Sequence, residues 1–321
     1  MKHTIYISGL LLITLIGCRL TDQPVKHYRS PEQLTIRVVT TTDIIADVVR
    51  NIGGKEVTVI SLMGPGVDPH LYKAREGDIR RMSNAQIIFY NGLHLEGKMV
   101  DILQGMNRFT RTVAVAQAIP DSLLIFPEQF EGNPDPHVWF DVQLWRYAVI
   151  RIAKELQDYD TLNQRYYQGN LQHYLAQLDS LDRYIRQRAQ ELSPEQRIII
   201  TAHDAFNYFG RAYDFQIYGL QGISTASEAS ARDVRKLADL IVRYHIPAIF
   251  VETSVSPRNI EALKAAVQSR GFQVAIGGHL FSDALGDPGT PEGTYIGMVR
   301  HNIDTIVESL KVTTATNKKD Q

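Results

Sequence analysis

The chain has 321 residues and a formal net charge of -1, with no basic block, which leaves no electrostatic footing for a nucleic-acid partner. Its length suits two domains of ordinary size rather than one core, and 44 % hydrophobic with 21 % charged residues is an ordinary soluble globular composition. A single cysteine excludes an intramolecular disulfide framework and a thiolate zinc cluster, so any metal site must be built from imidazole and carboxylate.

The N-terminus carries Lys2 and then an apolar run over residues 4–16. That run is short for a bilayer span and has the length of a signal-peptide hydrophobic region. It ends in Leu15-Ile16-Gly17-Cys18, and a small residue before cysteine resembles the lipobox of bacterial lipoproteins. The resemblance implies that residues 1–18 are signal peptide and lipobox, and that Cys18 is lipidated and becomes the mature N-terminus. Residues 19–33 are polar, contain Pro24 and Pro31, and read as a tether; residues 315–321 read as a polar tail. The body between them is expected outside the cytoplasm, anchored by lipid to a bacterial membrane.

Strand and helix patterns then alternate. Residues 35–40, 56–62, 86–90 and 112–115 read as strands; residues 43–52 and 75–83 carry helical spacing. Residues 141–159 and 162–192 hold long 3.6-period patterns, with Leu171, Tyr174, Leu175, Leu178, Leu181 and Ile185 on one stripe. After Pro194 the alternation returns, with strands expected at 197–201, 215–219, 247–251 and 272–276 and helices at 228–243, 257–268 and 292–312. This order predicts an α/β protein of two lobes, residues 34–161 and 193–314, each with a mainly parallel sheet flanked by helices and joined by one long rigid helix over 162–192. Ligands of open α/β sheets sit beyond the carboxyl ends of the strands, where two such lobes face each other across a cleft.

The chain has ten histidines. His3 and His27 lie in the signal and tether, and His173, His245 and His301 read as surface or helix-face residues. Others recur in a pattern. His70 and His137 each close an Asp-Pro-His triplet, at 68–70 and 135–137, and His203 directly follows the apolar run 197–201. Asp283 and Asp287 lie in the Gly-rich loop after the last expected strand, and the spacing does not choose between them. Three imidazoles and a carboxylate suit zinc, manganese, iron or nickel. The candidates are spread on both sides of the long helix, as a site clamped between lobes requires, and no H-E-x-x-H helix is present.

At these residues the chain resembles the zinc- and manganese-binding solute-binding proteins of ABC transporters, and within them the TroA-like branch. The matching stretches are GPGVDPHLY at 64–72, NGLHLE at 91–96, DPHVWFD at 135–141, TAHDAF at 201–206, GISTASEAS at 222–230 and GGHLFSDALGDPGTPEGTY at 277–295. The resemblance implies one divalent ion, Zn or Mn, carried as cargo by His70, His137, His203 and Asp283, and so prefers Asp283 to Asp287. It implies a buried interlobe site, a permease partner in the cytoplasmic membrane and a monomeric, non-enzymatic protein. The His- and acid-rich loop of many zinc-dedicated members is missing, since residues 121–134 hold no histidine. His94, His279 and Asp287 are expected, at most, around the ligands rather than among them. Two other functions compete. A zinc hydrolase needs an open water position and a general base, for which Asp204 or Glu96 could be nominated, and a surface adhesin needs lipidation but no histidine cluster.

Overall fold

The computed structural model describes residues 35–130 and 132–311. The signal peptide, Cys18, the tether and the tail at 315–321 lie outside the described residues. Four parallel strands, β1 (Ile36–Thr40), β2 (Val57–Ser61), β3 (Ile87–Tyr90) and β4 (Arg111–Ala114), form one sheet in the order β2-β1-β3-β4. Helices α1 (Asp43–Gly53), α2 (Glu76–Ser83) and α3 (Val100–Met106) accompany it. Then come α4 (Val142–Tyr159) and the long α5 (Gln164–Ala189). The C-terminal half pairs β5 (Ile198–Thr201) with β6 (Gln216–Gly219) and β7 (Ala248–Glu252) with β8 (Ala275–Leu280), both pairs parallel. Its helices are α6 (Asn207–Tyr213), α7 (Ala231–Tyr244), α8 (Arg258–Gln268) and α9 (Tyr295–Lys311).

The period of two along the strands sorts their side chains into three layers. Ile36, Val38, Ile87 and Phe89 enter a central cluster, and the alternate Val39 and Ile88 pack on the far face with Met82, Met99 and Leu103. In the other half Ile199, Ala248 and Phe250 join the same central cluster, while Ile198, Ile200, Ile249 and Val251 face α7 and α8 through Leu237, Ile241, Ile260 and Leu263. The four-stranded sheet and the two two-stranded sheets, which replace the single C-terminal sheet expected, therefore share one apolar layer. Its filling is supplied by α1, α4, α5 and α9, with Trp145, Tyr167, Tyr174, Leu178, Leu181, Met298 and Ile303 all buried. On α5 the buried positions Tyr167, Leu171, Tyr174, Leu178, Leu181 and Ile185 recur every three or four residues, which sets one stripe of a helix about 39 Å long at 1.5 Å per residue.

Some elements differ from expectation. The spine helix begins after a short 3-10 turn at 161–163 and ends at Ala189. Helices α3 and α6, seven residues each, are too short to declare a period. The last strand is displaced: it runs over Ala275–Leu280, not 272–276. Gly277 and Gly278 offer no side chain to reveal the alternation, yet the sheet needs both. A Cβ on Gly277 would stand 2.8 Å from Phe250 Cε1 and from Ser309 Cβ, and Gly278 holds φ 145° where the β7–β8 register shifts.

Because the sheets of both halves depend on one central layer, truncation of α5 should weaken both halves. Leu178→Ala is expected to cost about 2–5 kcal/mol and to lower a single melting transition. Calorimetry checks this; two separated transitions in the variant would show that the lobes are independent.

Candidate metal centre

Both Asp-Pro-His triplets fold alike. The backbone N–H of His70 donates to Asp68 Oδ1 at 2.8 Å and that of His137 donates to Asp135 Oδ1 at 3.0 Å, so each aspartate turns the chain around the intervening proline and aims the imidazole inward. His203 follows β5 by two residues, and its backbone N–H donates to Glu252 Oε1 at 2.8 Å, at the carboxyl end of β7. Asp283 lies three residues beyond β8. The strand ends thus deliver His203 and Asp283 directly, and His70 and His137 come from the loops after β2 and β4.

These four side chains converge. His70 Nε2 and His137 Nε2 are 3.2 Å apart, and His137 Nε2 and His203 Nε2 3.4 Å. Asp283 Oδ1 is 3.5 Å from His137 Nε2, and its Oδ2 is 3.4 Å from His203 Nε2 and 4.0 Å from His70 Nε2. An ion bonded to tetrahedral ligands at 2.0–2.1 Å requires ligand–ligand edges of about 3.3–3.4 Å, the scale of most of these separations. His137 and His203 are 0 % exposed, Asp283 1 % and His70 4 %, so an ion held here is sealed from solvent. Asp283 is buried and both its oxygens face imidazole nitrogens, an arrangement that a buried carboxylate tolerates best opposite positive charge.

Two acids behind the imidazoles set their tautomers. His137 Nδ1 lies 2.7 Å from Asp135 Oδ1, and His203 Nδ1 lies 2.5 Å from Glu252 Oε2. A proton on each Nδ1 leaves the Nε2 lone pair free for the cluster. Asp135 is itself fixed, its Oδ2 accepting from Asn207 Nδ2 at 3.1 Å and its carbonyl accepting from Tyr208 at 2.9 Å. Asp68 instead spends its second oxygen across the cleft, accepting from Thr225 Oγ1 at 2.5 Å.

His94, His279 and Asp287, expected around the ligands, are placed elsewhere by the fold. All three are exposed. His94 sits at φ 66° on a tight turn after β3, His279 points outward from β8, and Asp287 lies past the buried stretch of its loop. Asp135 and Glu252 take the supporting role. The sequence carried a signal for each: Asp135 precedes the histidine in the repeated triplet, and Glu252 is a lone acid ending a fully buried strand.

Residues 38–309 match the family described as ZnuA, zinc-uptake complex component A, periplasmic. The chain belongs to that family. Among curated ZnuA relatives it is 53 % identical over 273 residues to the zinc-binding protein TroA of Treponema pallidum, covering 85 % of this chain and 88 % of TroA. It is 47 % identical over 297 residues to the manganese-binding lipoprotein MntA of Bacillus subtilis, covering 92 % and 95 %. The fold superimposes on the periplasmic zinc-binding protein TroA with a TM-score of 0.84 at 52 % identity, over 86 % of this chain and 99 % of that one.

Protons compete for the ZnuA-type cluster. Burial drives His70 down to about 3, despite Asp283 beside it, so its ring is neutral and ready to ligate at pH 7. Burial would also lower His203, but the charges of Glu252 and Asp283 outweigh it and hold this histidine well above its ordinary value. Burial would raise Asp283, but the imidazoles, His203 foremost, hold it well below the usual carboxylate range. These directions favour a protonated His203 in the metal-free site. Binding of zinc at pH 7 is expected to release about one proton, and affinity should fall as pH drops. Glu252→Gln removes the charge that retains that proton, so it should shrink the release and weaken zinc about 10–100-fold. Calorimetry in buffers of different ionisation enthalpy reads both; an unchanged release in the variant contradicts the assignment.

Proposed function

We propose that His70, His137, His203 and Asp283 hold one divalent transition-metal ion, zinc or manganese, as cargo, and that the chain is the extracytoplasmic solute-binding component of an ABC importer. The observation that carries this reading is the sealed convergence of three imidazole nitrogens and both oxygens of Asp283. Zinc binding by TroA and manganese binding by MntA, relatives across most of the chain, support the cargo. Lobes at 34–161 and 193–314 would close on the ion around the spine at 162–192. Among the described residues no helix is long and apolar enough to cross a membrane. Attachment would come from a lipid on Cys18, as in the relatives named lipoproteins. The monomer would then present its loaded cleft to a membrane permease.

A hydrolytic role fits less well. Asp283 takes the position that a hydrolytic zinc reserves for water. Glu96, nominated as a base, is committed to Thr41 Oγ1 at 2.7 Å and to the backbone N–H groups of Asn91 and Gly92 at 2.7 and 3.1 Å.

The preference between metals follows from the donors. Affinity of a nitrogen–oxygen site rises from manganese toward zinc. The two oxygens of Asp283 face different imidazoles, at 3.5 and 3.4 Å, and together offer a fifth ligand atom that suits manganese. Zinc should therefore displace manganese in a competition titration, with manganese binding measurably when alone. Free zinc at a thousandfold excess over Kd stabilises the native state by about 4 kcal/mol. The melting temperature should rise accordingly in the wild type and far less in His203→Ala; a full rise in that variant would exclude His203 as a ligand.

A further inference from the structure

His70, His137 and His203 are each oriented by an acid close to them, whereas Asp283 is held by a different route. Within its own half of the chain, the approach to Asp283 is tied at Phe281, whose backbone N–H and carbonyl both pair with Asn302, at 2.9 and 2.7 Å, and at Ser282, whose hydroxyl lies 2.9 Å from that of Ser254. The residues flanking Asp283 are then gripped from the other half. Trp139, two residues after His137, donates its indole N–H to the Ser282 carbonyl at 3.0 Å. The backbone N–H of Leu285 donates to Asp43 Oδ1 at 3.1 Å, and that of Tyr295, opening α9, donates to Asp47 Oδ2 at 3.1 Å. Asp43 and Asp47 stand one turn apart on α1, at positions where an amphipathic helix of this composition would bury only apolar groups.

Asp43 is the more telling of the two. It is buried, and its second oxygen accepts no hydrogen bond. Burial pushes its pKa up to about 6 even though the Leu285 N–H lowers it. An acid with one orphaned oxygen is a poor choice for packing, and its other oxygen makes the contact two residues beyond Asp283.

We infer that Asp43 is a positioning residue for the metal ligand Asp283: from α1 it fixes the Leu285 N–H, and with it the direction in which the Asp283 carboxylate faces the three imidazoles. The inference rests on Asp283 being a ligand, as proposed above. Through this contact the first helix of the chain sets the affinity contributed by a ligand 240 residues later.

A double-mutant cycle on the full chain tests it, with zinc affinity read by competition against a chromophoric chelator. Asp43→Ala is expected to weaken zinc about tenfold, in the range of lost supporting contacts. It should do the same in a His203→Ala background and have no further effect in Asp283→Ala, where nothing remains to position. Asp43→Asn keeps an oxygen facing Leu285 and should restore affinity to within about threefold of wild type. Should Asp43→Ala fail to fold, Asp43→Leu fills the buried space without an acceptor and takes its place in the cycle. A tenfold loss that persists in the Asp283→Ala background overturns the inference while leaving the site intact, as does an unaltered affinity in Asp43→Ala or Asp43→Leu. Unaltered affinity in Asp283→Ala alone overturns the ligand assignment instead.

Discussion

A carboxylate enclosed in protein and faced by three imidazoles is the constraint on which this structure turns. Asp283 is sealed beneath three imidazoles, and desolvating it without compensation would cost several kcal/mol. Positive charge on His203 compensates it, and a divalent ion bound as proposed would take over that role. In the proposed function, capture would exchange one buried cation for another. The supporting acids make the exchange workable, since Glu252 serves a protonated His203 before binding and a neutral, ligating His203 afterwards.

Such a site needs walls that do not yield, and the shared apolar layer supplies them. Sheets that carry ligands on opposite sides of the cleft rest on one cluster containing Phe89, Trp145, Tyr174, Leu178, Phe250 and Met298. The spine α5 lies within that cluster along its whole length, so the lobes are joined by packing as well as by covalent connection. A hinge of the kind built from flexible strands has no counterpart in such a layer. Thr225 on Asp68 is a polar contact that spans the cleft.

Much of this was legible in the chain because periodicity and placement of histidine are strong signals. The strands β1 to β7 were read from short runs, and α5 from a stripe sustained over about four turns. The three histidines that the fold brings together stood out by their positions after strands and by a triplet that occurs twice. What stayed hidden had a physical reason in each case. Glycines mute the alternation at β8, because their role there is to admit Phe250 and Ser309. The choice of Asp283 over Asp287 depends on which residues of one loop are buried, and spacing carries no information on that. Nothing in the helical spacing over 43–52 singles out Asp43 and Asp47, whose partners are backbone N–H groups some 240 residues away. His94 and His279 misled because histidine near a ligand motif suggests a supporting role, which the fold assigns to Asp135 and Glu252.

The central claim is a first coordination shell of three imidazoles and one carboxylate, with no sulfur donor. X-ray absorption at the zinc edge of the loaded protein addresses it most directly. The account predicts four or five nitrogen and oxygen neighbours at about 2.0–2.2 Å, with outer-shell scattering that counts three imidazole rings. A shell of six oxygens with at most one imidazole would contradict it, since the ion would then sit outside the cage formed by His70, His137, His203 and Asp283.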